Sequence, residues 1–224
     1  MNNLLENGYV FLTDVYKDEI INKINNEFYY FYNDNNIQEH LAKREDVKKD
    51  TYYVNNTYNI LNTYHKQQFY YLPVIDNRFG HNRVTDNGVI DIFNINKLLP
   101  SINENINIDI MLQILYKLTH KSWKLERINL QINNNVTTTN NYHYDDNNNI
   151  KFTIYMNTIK EENGGALSFI ENTHINKKFK NNQIRNFYGN SGDVLISYQN
   201  GLHKKLPQQN SITYFLVYNF YTKD

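Results

Sequence analysis

The chain has 224 residues, of which 40% are hydrophobic and 15% aromatic, so its composition supports a packed core rather than disorder. Its net charge of zero argues against nucleic acid or a membrane surface as a partner, and the absence of cysteine excludes disulfides, thiolate metal sites and a cysteine nucleophile. No apolar run reaches membrane-spanning length and residues 1–16 lack a signal-peptide pattern, which predicts a soluble, cytoplasmic protein.

The first predicted elements are a strand and a helix. The apolar run GYVFL at residues 8–12 predicts a strand, and the Thr-Asp pair at residues 13–14 is typical of a helix N-cap. The pattern that follows is helical, with four apolar residues on one side: Ile20, Ile21, Ile24 and Phe28.

The middle of the chain is less regular. Residues 33–60 are polar and rich in asparagine, and they predict loop, with a helix as the alternative. Residues 68–93 combine aromatic side chains with Arg78, His81 and Arg83, a mixture that suits either recognition of an anionic or polar substrate or ordinary loop packing. Residues 106–119 show helical periodicity and are apolar nearly all round, so this helix is predicted to be largely buried.

From residue 124 onward the hydrophobic period changes to two. Five segments predict strands: 124–133, 150–159, 164–171, 192–199 and 211–221. Turns containing Asn, Gly or Pro separate them and no helix-length pattern intervenes, which disfavours parallel βαβ units. The sequence therefore predicts one domain over residues 1–224, with helices and loops mainly in 1–120 and an antiparallel sandwich or barrel mainly in 124–221.

The β-rich half also contains a candidate metal site. His143 and Asp145 are two residues apart, and on an extended chain such residues share a face. His203 follows a predicted strand and a glycine turn, where a ligand at the mouth of a barrel would project. Two histidines and a carboxylate form the facial triad of non-haem Fe(II) oxygenases, but zinc hydrolases use the same ligand types, and ordinary strand polarity is the alternative. Four other histidines are predicted to be structural or exposed: His40, His65, His81 and His120.

Four segments match, in order, the motifs of a known enzyme family: NGYVFLTDVYKDEIINKI (7–24), QINNNVTTTNNYHYD (131–145), NGGALSFIENTH (163–174) and GDVLISYQNGLHKKLPQQNS (192–211). Together they resemble the phytanoyl-CoA dioxygenase-like (PhyH) branch of the Fe(II)/2-oxoglutarate-dependent oxygenases. The resemblance implies a double-stranded β-helix (jelly-roll, cupin-like) core with flanking helices. It also implies that His143, Asp145 and His203 are the iron ligands.

The same resemblance implies a function. It indicates a dioxygenase that uses Fe(II), 2-oxoglutarate and O2 to hydroxylate an unactivated carbon of a small polar metabolite. Related halogenases lack the carboxylate ligand, so the presence of Asp145 favours hydroxylation. Gln131 and Asn133 match positions that line the co-substrate pocket, with polar residues on a sheet face as the alternative. His174 matches a histidine that is not an iron ligand, and Asp146 is expected to point away from the site.

One family feature is missing. The family carries an arginine on the last core strand that pairs with the far carboxylate of 2-oxoglutarate. Here no basic residue lies between Lys205 and Lys223. The charge could come from another strand, and Lys151 is the first candidate, followed by Arg127; an exposed strand-edge lysine is the alternative interpretation of Lys151.

Two further explanations of the missing arginine remain open. Hydroxyl groups such as those of Thr213 and Tyr214 could hold the carboxylate by neutral hydrogen bonds. Alternatively, co-substrate binding has been lost, and the chain is a degenerate jelly-roll binding module without turnover. A different mononuclear metalloenzyme that does not use 2-oxoglutarate is a third class of function compatible with the two histidines and the carboxylate.

Overall fold

The computed structural model describes residues 3–33, 51–54, 57–60, 74–77, 89–134, 141–145, 149–176, 183–208 and 211–222. The α-helices of these segments are α1 (Asn3–Asn7), α2 (Asp18–Asn33), α3 (Pro100–Asn105) and α4 (Ile108–Thr119), and Ile95–Lys97 and Glu161–Asn163 form short 3-10 helices. The strands are β1 (Tyr9–Leu12), β2 (Thr51–Val54), β3 (Thr57–Ile60), β4 (Val74–Asn77), β5 (Val89–Phe93), β6 (Lys124–Asn134), β7 (Ile150–Tyr155), β8 (Leu167–Ile170), β9 (Ile184–Phe187), β10 (Val194–Tyr198), β11 (His203–Lys205) and β12 (Ile212–Tyr221). None of the described helices has the length and apolar character needed to cross a bilayer.

The strands form a large sheet, a small sheet and a hairpin. The large sheet has the order β1-β10-β7-β12-β6-β5-β4, the small sheet has the order β11-β8-β9, and β2 pairs with β3. All pairs among the described strands are antiparallel. An isolated antiparallel bridge joins His143 to His203 of β11, so the segment around His143 extends the small sheet beside that strand. This strand order is that of a double-stranded β-helix, so the predicted fold class, mainly β with flanking helices, is confirmed.

The two faces of the large sheet have different partners. Because side chains alternate along a strand, Leu195, Phe215 and Val217 pack towards the small sheet, where they meet Phe169 and Phe187. The intervening side chains form a second cluster with the helices, which includes Ile154, Ile196 and Leu216 from the strands and Ile21, Ile24, Phe28, Met111 and Leu115 from α2 and α4. The helices therefore cover one face of the large sheet, and the other face is turned towards the small sheet.

The predicted helix after β1 is present, but its predicted N-cap is wrong. Ile21, Ile24 and Phe28 of α2 are buried as expected. However, α2 begins at Asp18, because Asp14 has a left-handed backbone (φ 55°) and donates its N–H to Asp193 Oδ1. The Thr-Asp pair therefore joins β1 to the loop before β10 instead of capping a helix.

The predicted burial of the second long helix is also wrong. Asn107 caps α4 by accepting hydrogen bonds from the backbone N–H groups of Asp109 and Ile110, as an N-cap residue does. One stripe of α4 is buried, including Met111 and Leu115, whereas Ile110 is 54% exposed. The helix has one neighbouring layer to pack against, so the apolar residues on its other side face solvent.

All five predicted strands of the second half are present as β6, β7, β8, β10 and β12. The short strands β9 and β11 were not predicted, and residues 33–60, interpreted as loop, contain the β2–β3 hairpin. Several predictions concern side chains outside the described residues, namely those of Arg78, His81, Arg83, His40, His65 and Asp146.

Candidate metal centre

Three predicted ligands converge at one end of the space between the sheets. His143 and His203 exchange two backbone hydrogen bonds of 3.0 and 2.8 Å, and Asp145 donates its backbone N–H to the Gln199 carbonyl over 2.9 Å. This extended pairing places His143 and Asp145 on the same face of their segment, opposite the first residue of β11. The ligand atoms of the three side chains all lie within 4.8 Å of one another, close enough to share one metal ion.

The orientation of both imidazole rings suits metal binding. His143 Nδ1 lies 2.9 Å from the Asn141 carbonyl oxygen, and His203 Nδ1 lies 2.8 Å from that of Gly201. A carbonyl oxygen can only accept a hydrogen bond, so each Nδ1 carries the proton and each Nε2 presents a lone pair. Metal-binding histidines are commonly held in this way by a carbonyl behind the ring.

The surroundings of His203 and Asp145 favour the protonation states in which these side chains bind a metal ion. Burial lowers the pKa of His203 to about 4, and the nearby Lys151 ammonium contributes to this shift, so the ring is neutral at physiological pH. Burial would raise the pKa of Asp145, but Lys151 and the two histidines hold it below its ordinary value. A neutral imidazole and an ionised carboxylate are the forms that bind a divalent cation.

The centre opens into a cavity of about 310 Å³ between the two sheets. The Phe169 ring stacks on His203 at a centroid distance of 5.3 Å and forms an apolar wall next to it. Polar and charged side chains cover most of the opposite wall: Asp91, Arg127, Asn129, Gln131, Lys151, Thr153 and Asn219. A cavity with a few convergent charged groups is the expected form of a binding site for a small polar molecule.

Lys151, the first candidate for the co-substrate anchor, lies at the metal end of the cavity. Its Nζ donates to Asp145 Oδ2 over 3.2 Å. It is therefore not an exposed strand-edge lysine, but it contacts a predicted metal ligand. Arg127, the second candidate, also lines the cavity, and its guanidinium lies 5.3 Å from the centre of the Phe93 ring.

A different lysine is surrounded by the predicted co-substrate residues. Lys205 Nζ donates to Gln131 Oε1 over 2.9 Å and to Asn133 Oδ1. Asn133 Nδ2 in turn donates to Thr213 Oγ1 over 2.9 Å, with both residues buried. Three of the predicted co-substrate residues thus form one hydrogen-bonded group around an ammonium.

Lys205 was not among the predicted site residues, although a signal for it was available. It is two residues after His203 on β11, and residues at that spacing share a face of a strand. Tyr214, by contrast, faces away from the site and packs against Phe28 of α2, with ring centroids 6.2 Å apart. The hydroxyl of Tyr214 is therefore on the wrong side of the sheet to reach the cavity.

His174, which matches a family histidine that is not an iron ligand, lies away from His143 and His203. Its Nε2 donates to the Leu5 carbonyl over 3.0 Å, and its ring stacks on Tyr198 at 5.2 Å. Burial lowers the pKa of His174 below its ordinary value. It connects the segment after β8 to α1 and does not line the cavity.

The fold and the centre together define a double-stranded β-helix with two histidines and a carboxylate at one end of the barrel. No protein-family model and no curated protein is similar enough in sequence to match the chain. Solved structures, by contrast, match it over nearly its whole length.

The non-heme alpha-ketoglutarate-dependent epimerase SnoN from nogalamycin biosynthesis has a TM-score of 0.66 and 8% identity, covering 98% of this chain and 80% of its own. HygX from Streptomyces hygroscopicus, solved with nickel and 2-oxoglutarate bound, has a TM-score of 0.63 and 10% identity over 98% and 85% of the two chains. A Pseudomonas putida prolyl-4-hydroxylase has a TM-score of 0.59 and 9% identity over 99% and 96%. At these identities the likeness establishes the shared fold.

Proposed function

We propose that the chain is a non-haem Fe(II)- and 2-oxoglutarate-dependent dioxygenase that hydroxylates an unactivated carbon of a small polar metabolite. The observation that carries the proposal is the convergence of His143, Asp145 and His203, with both Nδ1 atoms held by carbonyl groups. The fold supports it, because HygX has the same architecture and was solved with 2-oxoglutarate.

In this proposal His143, Asp145 and His203 hold the iron. Three protein ligands on one side leave positions for a co-substrate and for O2, which is the arrangement of the 2-His-1-carboxylate oxygenases. Bound iron would supply the activation of O2 that attack on an unactivated carbon requires. Lys151 would keep the Asp145 carboxylate ionised and fixed through its 3.2 Å hydrogen bond.

Lys205 takes the place of the missing arginine in this proposal. It lies on the same strand as His203 and two residues further on, about 7 Å along the chain. That separation suits a five-carbon diacid whose keto-acid end lies at His203 and whose far carboxylate meets the ammonium. Gln131 and Asn133 hold the Lys205 side chain in position through their amide oxygens, and Thr213 holds Asn133.

Ligand-induced thermal stabilisation tests the proposal. A ligand that binds the folded chain raises its melting temperature, so Fe(II) and 2-oxoglutarate together should raise it more than either alone under anaerobic conditions. His143→Ala should abolish the joint effect, whereas His120→Ala should retain it, because His120 is exposed at the end of α4. If 2-oxoglutarate adds nothing to the stabilisation by metal, the assignment of the co-substrate is wrong.

A further inference from the structure

A second group of polar side chains lies in the cavity, in the rows of the large sheet that adjoin the metal centre. Asn219 of β12 is directly opposite Arg127 of β6 on one side and Lys151 of β7 on the other. Directly opposed residues of antiparallel strands have Cβ atoms about 5 Å apart, so these three side chains form one row. Asn129 follows Arg127 on the same face of β6, and all four residues line the cavity.

Two amide groups in this cluster have buried atoms without a hydrogen-bond partner. Asn219 is 1% exposed and its Nδ2 makes no hydrogen bond, and Asn129 is 7% exposed and its Oδ1 accepts none. Buried polar atoms are nearly always paired in folded proteins, so a molecule held in the cavity, either water or a ligand, would complete these two groups. One unpaired donor and one unpaired acceptor therefore lie on the same face of the sheet, as diagonal neighbours on β12 and β6.

The backbone is irregular at the row of side chains that contains Asn219 and Arg127. The pairing of β12 with β6 shifts by one residue after Asn219, because Arg127 is opposite Asn219 whereas Leu125 is opposite Phe220. This β-bulge leaves Glu126 as the extra residue. Bulges of this kind redirect neighbouring side chains and are over-represented next to active sites.

We infer that Arg127, Asn219 and Asn129 bind the primary substrate, and that this substrate is a small carboxylic acid with a hydroxyl or amino group beside the carboxylate. The Arg127 guanidinium and the Asn219 amide N–H are suited to carboxylate oxygens, and Asn129 Oδ1 is suited to the neighbouring donor. The inference rests on the proposed function for the reaction that follows binding, but the subsite itself is defined by these three residues.

This subsite is distinct from the one assigned to 2-oxoglutarate. Gln131, which contacts Lys205, is four residues from Arg127 along β6, a distance of about 13 Å. Lys151, which contacts Asp145, is in the same row as Arg127 and Asn219. An acid held by this row would therefore place its adjacent carbon atoms beside the metal ligands.

The test is a calorimetric titration of the full chain with small 2-hydroxy and 2-amino acids, each compared with its primary amide, which has a similar shape but lacks the carboxylate charge. It is performed with and without Ni(II) and 2-oxoglutarate. At least one acid should bind at least about tenfold more tightly than its amide. Arg127→Gln and Asn219→Leu should each weaken binding of that acid by about tenfold or more, and Arg127→Lys should restore part of the loss.

Two controls separate this inference from the proposed function. Lys124→Gln removes the same charge from the exposed start of β6 and should leave acid binding within about twofold. Lys205→Gln should weaken 2-oxoglutarate binding but not acid binding. Acids that bind through Arg127 in a chain that fails to bind Ni(II) and 2-oxoglutarate would support the subsite and contradict the proposed function. The inference is overturned if no acid binds, if amides bind equally well, or if Arg127→Gln and Asn219→Leu have no effect.

Discussion

Lys205 provides the positive charge that the proposed co-substrate site requires, and its ammonium is held by two neutral amide oxygens. Lys205→Met removes this charge while keeping most of the side-chain volume. A charge-assisted hydrogen bond to a carboxylate contributes about 1.5–3 kcal/mol, so we expect the Kd of 2-oxoglutarate to rise by about 10- to 100-fold in the metal-loaded protein. Calorimetry of Lys205→Met measures this change directly.

Two further lysine variants make the Lys205 measurement specific. Lys204→Met removes the same charge from the neighbouring position, where Nζ lies over the Tyr142 ring at 4.6 Å, and its effect should be smaller. Lys151→Met tests the anchor that the sequence first indicated. A larger loss of 2-oxoglutarate affinity in Lys151→Met than in Lys205→Met would contradict the assignment to Lys205.

His174 should make stability depend on pH. Burial lowers its pKa in the folded chain below the ordinary value of 6.5, so at lower pH the unfolded chain binds a proton that the folded chain does not. The contribution of neutral His174 is complete above about pH 6.5 and is lost as the pH falls towards the folded pKa. His174→Phe keeps a ring that can stack on Tyr198 but cannot titrate.

The measurement is the free energy of unfolding of the wild type and His174→Phe between about pH 7.5 and pH 5.5, a range that spans the ordinary histidine pKa. We expect the wild type to lose more stability than the variant over this range. His203, whose pKa is also lowered, is present in both proteins, so its contribution cancels in the comparison. Equal losses in the two proteins would show that His174 is not responsible.

Among individual residues, the candidate metal ligands could be predicted from the sequence better than the proposed co-substrate anchor. His143 and Asp145 could be paired from their spacing alone, since an extended chain places alternate residues on one face. The contact between Lys205 and Gln131 depends on how β11 of the small sheet lies over β6 of the large sheet, which no local pattern contains. The sequence also does not show that Lys151 contacts Asp145, because that contact forms only in the folded chain.

Among the elements, the contact between the loop after β1 and the loop before β10 depends on Gly192. Its φ of +87° is strained for other residues, and an added Cβ would collide with the carbonyl oxygen of Tyr16. The Tyr16 N–H also donates to the Gly192 carbonyl over 3.1 Å, so the two backbones cannot easily move apart. This contact sets the position of β10 next to β1.

We therefore predict that Gly192→Ala lowers the free energy of unfolding by at least about 1–3 kcal/mol, measured by urea denaturation. Gly201→Ala is the matched control, because its Cβ would lie 3.5 Å or more from its neighbours and its φ is not in the left-handed region. Gly201→Ala should lower the free energy of unfolding by less than half as much as Gly192→Ala. Similar losses in both variants would mean that the backbone at residue 192 has no special requirement.

The strands could be predicted where the period of two extends over several residues, as in β6 and β12. The short strands β9 and β11 have four and three residues, too few for alternation to be distinguished from loop. The helix N-cap was misplaced because the backbone N–H of Asp14 donates to Asp193, and a tertiary contact of that kind overrides the local capping signal.

At the scale of the molecule, the arrangement of sheets explains why the site lies where it does. Residues of the large sheet alternate between a helix-covered apolar face and a face that is polar in the rows that reach the metal centre. Sequence patterns predicted the antiparallel core, and the family resemblance predicted its jelly-roll order. The cavity lies between β6, β7 and β12 of the large sheet and β8 and β11 of the small sheet. Which strands face one another depends on long-range pairing, so local sequence patterns could not predict the cavity.

The proposed function requires that His143, Asp145 and His203 bind iron and that 2-oxoglutarate chelates this iron. The most direct measurement is an anaerobic titration of the Fe(II)-loaded protein with 2-oxoglutarate, following the visible charge-transfer band of a chelated keto acid. We predict a saturable band in the wild type and none in His203→Ala. Bound iron with no band in the wild type, or an equal band in His203→Ala, would contradict the proposed function.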